Sequence, residues 1–169
     1  MYKRQLNDSV LKAIDRRHTV REFLDSFKLA KEIGFNSINT DLIAGLPTDT
    51  VDSFMKTIDE IICLNPENIT VHTLSIKRAA FLNRKSDSVI NNPAEKMVEY
   101  ASKRLFESGY NPYYLYRQKN MLENLENIGW AKHGKESLYN IYIMEENQSV
   151  IAVGAGASTK IVSKDGHLN

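Results

Sequence analysis

The residues best placed to do chemistry lie in one short run, Asn39-Thr-Asp41-Leu-Ile43-Ala-Gly45-Leu-Pro47. It reads as a buried strand that offers one carboxylate and then stops at a Gly-Leu-Pro turn, with a helix following at once. In β/α repeats, acids near the carboxyl ends of strands are where barrel enzymes contact ligands. A carboxylate on an inward face is costly to bury without a partner. Asp41 therefore accepts ligand hydroxyls or amines, or closes a structural salt bridge with a cation such as Arg16. Arg16 and Arg17 stand on a polar break before a helix, where arginine's rigid fork suits a carboxylate and solvation is the plain alternative.

Other candidates carry less. His18, His72, His133 and His167 are scattered, with no spacing typical of a metal site. Each reads best as a hydrogen-bonded structural histidine, and His72 faces opposite to Val71 and Thr73. Gly154-Ala-Gly156-Ala-Ser-Thr-Lys160 has neither a third glycine for a dinucleotide loop nor a Gly-Lys-Ser/Thr ending, so it reads as a tight turn. Tyr113, Tyr114 and Tyr116 suggest a stacking platform for single strands, but few cations interleave them and aromatic strand packing explains them better. Cys63 lies late in an amphipathic helix and reads as inert.

The elements that must position Asp41 follow from periodicity. A short helix is expected from Asp8 to Ile14, capped by Asn7 or Asp8. Thr19 with Glu22 forms a capping-box pattern. Behind it Val20, Phe23, Leu24, Phe27, Ala30 and Ile33 recur at helical spacing until Gly34. Ser37–Ile43 reads as a strand with Asn39, Asp41 and Ile43 on one face and Ile38, Thr40 and Leu42 under helices. Val51, Phe54, Met55, Ile58, Ile61 and Ile62 predict a further helix, capped by Asp49 or Thr50 and stopped by Asn65-Pro66. Ile69–Ser75 is β-branched and reads as a strand. Strands alternating with helices argue for parallel βαβ pairing. A polar loop is expected over Lys77–Asn92 and a helix over Pro93–Ser108. Strand-like runs then follow at Tyr113–Tyr116, Tyr139–Ile143 and Val150–Val153, with a polar stretch holding Gly129 and Trp130 between the first two.

Composition narrows the function classes. Of 169 residues, 42% are hydrophobic, enough for a core, and 22 Lys+Arg against 21 Asp+Glu leave a formal net charge of +1. That balance provides no general field for nucleic acid or an anionic membrane. No apolar run is long enough to span a bilayer, and the polar start has no secretory h-region, so a cytoplasmic location is the expectation. One cysteine excludes an internal disulfide or an all-cysteine metal site within the chain.

The runs Asn7-Asp-Ser-Val-Leu-Lys-Ala-Ile14, Arg16-Arg-His-Thr19, Gly34 to Pro47, Leu64-Asn-Pro66 and Ile69-Thr-Val71 resemble the oxygen-independent coproporphyrinogen III oxidase family of radical S-adenosylmethionine enzymes. Tyr114-Leu-Tyr-Arg-Gln-Lys-Asn-Met121 with Gly154-Ala-Gly156-Ala157 is similar to its coproporphyrinogen dehydrogenase-like branch. The resemblance covers nearly the whole chain. It implies an α/β fold: residues 1–90 as the second half of a partial (β/α) TIM-like barrel, and residues 91–169 as a small α+β carboxyl-terminal accessory region. It implies a 4Fe-4S cluster held by a Cys-x3-Cys-x2-Cys loop, with S-adenosylmethionine on the unique iron. The 5′-deoxyadenosyl radical would take hydrogen from a porphyrinogen propionate, and loss of carbon dioxide would leave a vinyl group.

By the resemblance, Arg16 matches an arginine beside the cofactor's methionine part and Asp41 the acid that meets the adenosyl ribose. Ile43 matches an apolar contact to the adenine region, and Ser75 a small adenine-contacting residue. The cluster cysteines are absent here, and the family glutamine falls at Arg4. The expectation is therefore a fragment, incomplete for catalysis and binding no cofactor alone, while the complete protein is a monomer acting on a porphyrinogen. The alternatives are a haem-binding chaperone-like protein of the same fold, or an inactive fragment.

Overall fold

A computed structural model describes residues 6–74, 93–116, 126–145 and 148–162. Asn7 starts the first helix, α1 (Asp8–Ala13), its side-chain oxygen accepting from the Ser9 N–H at 3.1 Å. The second helix, α2 (Val20–Ile33), opens with the expected capping box: the Thr19 N–H donates to Glu22 Oε2 at 2.7 Å and the Glu22 N–H to Thr19 Oγ1 at 3.3 Å. Gly34 closes it at φ 85°, where a side chain would be strained.

Strand β1 (Asn39–Ala44) leads through Gly45 into α3 (Val51–Leu64), which Thr50 caps and Asn65 ends at φ 58°. Strand β2 (Asn68–Thr73) pairs parallel with β1, as the alternation of strand and helix requires, with Asp41 beside Thr70 and Ile43 beside His72. Helix α4 (Pro93–Glu107) precedes β3 (Asn111–Tyr116), β4 (Asn127–Ala131) and α5 (Leu138–Glu145). The sheet order is β1-β2-β4-β3, with β4 antiparallel to both neighbours. The sheet is mixed and runs without a break from the barrel-like strands into the carboxyl-terminal ones.

Each face of the sheet has its own composition, because strand side chains alternate. Leu42, Ala44, Ile69, Val71 and Trp130 pack with Phe23, Phe27, Phe54, Ile58, Ile61, Met97, Ala101 and Leu105 of the helices. Leu42 thus lies under helices and Asp41 does not, as alternation demands. Phe54 is fully buried in this layer. Truncating it to Ala is expected to cost about 3–5 kcal/mol, the lost transfer energy plus the cavity left behind, as a fall in the urea midpoint. A loss under about 1 kcal/mol would mean that the helix layer is not packed as described.

Two expected strands are not strands. Tyr139–Ile143 lies within helix α5, which has no buried residue. Its aromatic and β-branched residues favour a pleated surface only where a neighbouring strand is there to pack on. Here α5 instead rests on β3, with Asn140 Nδ2 donating to Tyr113 Oη at 2.9 Å. Over Val150–Val153, only Val150 pairs, in an isolated bridge with Lys160. The polar stretch around Gly129 and Trp130 is strand β4. The loop expected over Lys77–Asn92 lies outside the described residues.

Candidate functional site

The sheet face opposite the main helix layer gathers polar side chains from all three of β1, β2 and β3. Asp41 is the third residue of six in β1, so it sits within the strand rather than at its end, and it is only 3% exposed. Asn39, two residues earlier on the same face, donates from Nδ2 to Asp41 Oδ1 at 2.9 Å. His72 Nε2 approaches the same oxygen at 3.8 Å, within ion-pair range but beyond a hydrogen bond. Burial pushes the Asp41 carboxyl upward, but His72, Thr70 and Asn39 outweigh it and hold the group below its ordinary range. The site therefore holds a carboxylate at neutral pH, able to accept hydrogen bonds from hydroxyl or amine groups.

Thr70 Oγ1 lies 3.3 Å from Asn39 Oδ1 and 3.3 Å from the Tyr114 hydroxyl. Tyr114 stands beside Gly129 in the sheet, and its ring lies over that glycine: a Cβ at Gly129 would overlap the ring. The Tyr113 and Tyr114 rings meet edge-on with centroids 4.9 Å apart, a favoured aromatic geometry. The tyrosine run is thus strand packing, as its sequence favoured, joined to a polar cluster.

The other sequence candidates fare differently. Ile43 shares the Asp41 face but is 6% exposed, packed with Val10 and Leu46 in a small apolar cluster that seats α1 on the strand. Arg16 is exposed in the turn after α1, its backbone N–H donating to the Leu11 carbonyl at 2.9 Å. Among the described residues it makes no ion pair with Asp41; His72 is the cation-capable partner instead. Ser75 lies outside the described residues. Asn39, Thr70, His72, Tyr114 and Gly129 were not read from the sequence as site residues. The period-two pattern of β2 already placed Thr70 and His72 on one face, whereas Tyr114 reaches it only through a register shift between Pro112 and Tyr114.

Cys63 is exposed on α3, beside an apolar groove of about 590 Å³ that Leu6, Leu24 and Leu64 also line. No residue of the Asp41 cluster borders that groove. Among the described residues, no group of His, Cys, Asp and Glu is arranged to hold a metal ion.

Residues 5–61 match the Radical SAM superfamily. Along 161 residues, 94% of its length, the chain is 47% identical to the oxygen-independent coproporphyrinogen-III oxidase-like protein HemZ of Bacillus subtilis, of which it covers 32%. The chain is homologous to oxygen-independent coproporphyrinogen III oxidase-like radical SAM proteins. It is also 30% identical, over 157 residues, to the heme chaperone HemW of Lactococcus lactis, matching 90% of this chain and 38% of that protein. The chain thus spans 32% and 38% of the length of these two curated relatives. In three dimensions it resembles the coproporphyrinogen III oxidase HemN of Escherichia coli, with a TM-score of 0.68 at 19% identity, over 92% of this chain and 37% of that one. That likeness shows a shared fold, and the mixed sheet with its helix layer is part of a radical SAM fold with a carboxyl-terminal extension. Among the described residues, no helix is long and apolar enough to cross a membrane.

Proposed function

We infer that this chain is the part of a porphyrinogen-oxidising radical SAM enzyme that grips the adenosyl half of the cofactor. The observation that carries this reading is Asp41: a buried carboxylate, held ionised beside Asn39, His72 and Thr70. Its oxygens would accept from ribose hydroxyls, and hydrogen bonds to an ionised acceptor are among the stronger ones.

The residues present fit S-adenosylmethionine and do not fit the cluster. Cys63 is a lone thiol on the exposed side of a helix, and a 4Fe-4S cluster needs several thiolates brought together. In the complete protein the family implies both groups, and the cluster ligands belong to sequence other than these 169 residues. S-adenosylmethionine, when bound, supplies the carbon that takes hydrogen from the substrate. This chain's contribution is positional. Asp41 fixes the ribose and Ile43 offers an apolar strand position toward the base, while Arg16 and Ser75 keep the cofactor roles that the family resemblance implies. Holding reactants in place is worth several kcal/mol of barrier. In this reading residues 91–169 are the accessory region that completes the sheet, the protein works as a cytoplasmic monomer, and the substrate is a porphyrinogen whose propionates become vinyl groups.

The chaperone relative favours one rival reading, transfer of intact haem. The complete protein, reconstituted anaerobically with cluster and S-adenosylmethionine and given coproporphyrinogen III, is expected to release carbon dioxide and form vinyl products. No turnover, together with stoichiometric haem uptake and delivery to an apo-haemoprotein, would replace the enzyme by a carrier.

A further inference from the structure

The cofactor acid is connected across the sheet to the carboxyl-terminal region, and the connection has a direction. Asn39 Nδ2 donates to Asp41 Oδ1 at 2.9 Å, which turns its amide oxygen toward Thr70. Thr70 Oγ1 carries one proton, and Asn39 Oδ1, an acceptor only, takes it. The Tyr114 hydroxyl, 3.3 Å from Thr70 Oγ1, must therefore be the donor in that contact. Each proton in the series points toward Asp41, an arrangement that strengthens every bond along it. Burial raises the Tyr114 phenol, so it stays protonated and able to donate.

Gly129 is what permits this. Tyr114 stands opposite Gly129 across β3 and β4, and its ring occupies the space where a Cβ would be. Glycine inside a strand weakens it, and here the missing side chain lets the ring lie flat enough for its hydroxyl to reach β2.

We propose that Tyr114, seated on Gly129 and acting through Thr70 and Asn39, is a positioning residue that fixes the Asp41 carboxylate for the adenosyl ribose. The proposal rests on the reading of Asp41 given above. It makes the antiparallel strands β3 and β4 part of the cofactor site, although Tyr114 itself does not touch the cofactor.

The test is the S-adenosylmethionine dissociation constant of the complete, anaerobically reconstituted protein, measured by calorimetry beside its melting temperature. Tyr114→Phe removes only the hydroxyl and is expected to weaken binding about three- to tenfold, the effect of losing one hydrogen bond. Gly129→Ala displaces the ring and should reproduce that loss, and Thr70→Val should match it. Thr70→Ser, which keeps the hydroxyl, should bind as the parent does. Wild-type affinity in Tyr114→Phe while Asp41→Ala has lost binding would overturn the relay and leave the Asp41 reading standing. A lowered melting temperature with unchanged affinity would reduce Tyr114 to a structural role and also overturn it. Unchanged binding in Asp41→Ala would instead remove the reading on which the relay rests.

Discussion

Asp41→Ala in the complete protein is expected to weaken S-adenosylmethionine binding by about ten- to a hundredfold. A hydrogen bond to a charged group is worth about 1.5–3 kcal/mol, and each 1.4 kcal/mol is tenfold in affinity. Among the described residues, the side chain is the only carboxylate of the polar cluster formed by Asn39, Thr70, His72 and Tyr114. Calorimetry on folded variants checks it, and an affinity within twofold of wild type would take Asp41 out of the site. Asp41→Asn is the informative companion. It keeps the shape but brings an amide that donates where a carboxylate only accepted, so it should bind weakly as well.

The same residue sets a pH dependence of stability with a definite sign. The Asp41 carboxyl titrates lower in the folded chain than its ordinary value of about 3.9. Its ionised form is therefore favoured by folding, and its contribution is fully present above about pH 4. That contribution is lost as pH falls through the lower folded value. The stability gap between wild type and Asp41→Asn should accordingly be constant near neutrality and close in acid. A gap that instead widened in acid would mean that burial outweighs the contacts to Asn39, Thr70 and His72.

Local chemistry was readable in the chain where the deciding contacts are close in sequence. Thr19 and Glu22 cap a helix within four residues, Gly34 ends it, and Asn65-Pro66 stops the next. Alternation alone separated Asp41 from Leu42, and the burial of the sheet's two faces agrees. What could not be read depends on pairing between distant segments. β4 contains Gly129 and is too polar and glycine-bearing to announce itself, yet it is central in the sheet because β2 and β3 flank it. Tyr139–Ile143 has strand-like residues but no strand to pair with, and it became a helix lying on β3. The partner of Asp41 was missed for the same reason. Arg16 was the cation offered from the sequence, while His72 arrives from the parallel neighbour, set beside Ile43 by the register. A charge pair across a sheet is fixed by register, and register follows from the whole hydrophobic pattern rather than from any single residue.

Anaerobic reconstitution of the 169-residue chain with iron and sulfide is expected to yield no bound cluster, with iron and sulfide at background after desalting. The reason is coordination chemistry. An iron–sulfur cluster is held by several thiolates whose geometry the fold must set in advance, and this sequence has one cysteine. Cys63 is exposed on α3, beside Lys56 and Glu60 and away from the face that carries Asp41. A single thiolate on a helix surface binds iron weakly and exchanges it with solvent, so Cys63→Ser should make no difference to the iron retained. Circular dichroism on the same sample establishes that the helices are present, which separates a folded chain without ligands from an unfolded one. Iron and sulfide retained in stoichiometric amounts, with broad visible absorbance that disappears in Cys63→Ser, would show that chains share their cysteines in an assembly. The complete protein is the contrast. It should take up the cluster through cysteines contributed by other sequence, and only there should Asp41 and its relay influence how the cofactor is held.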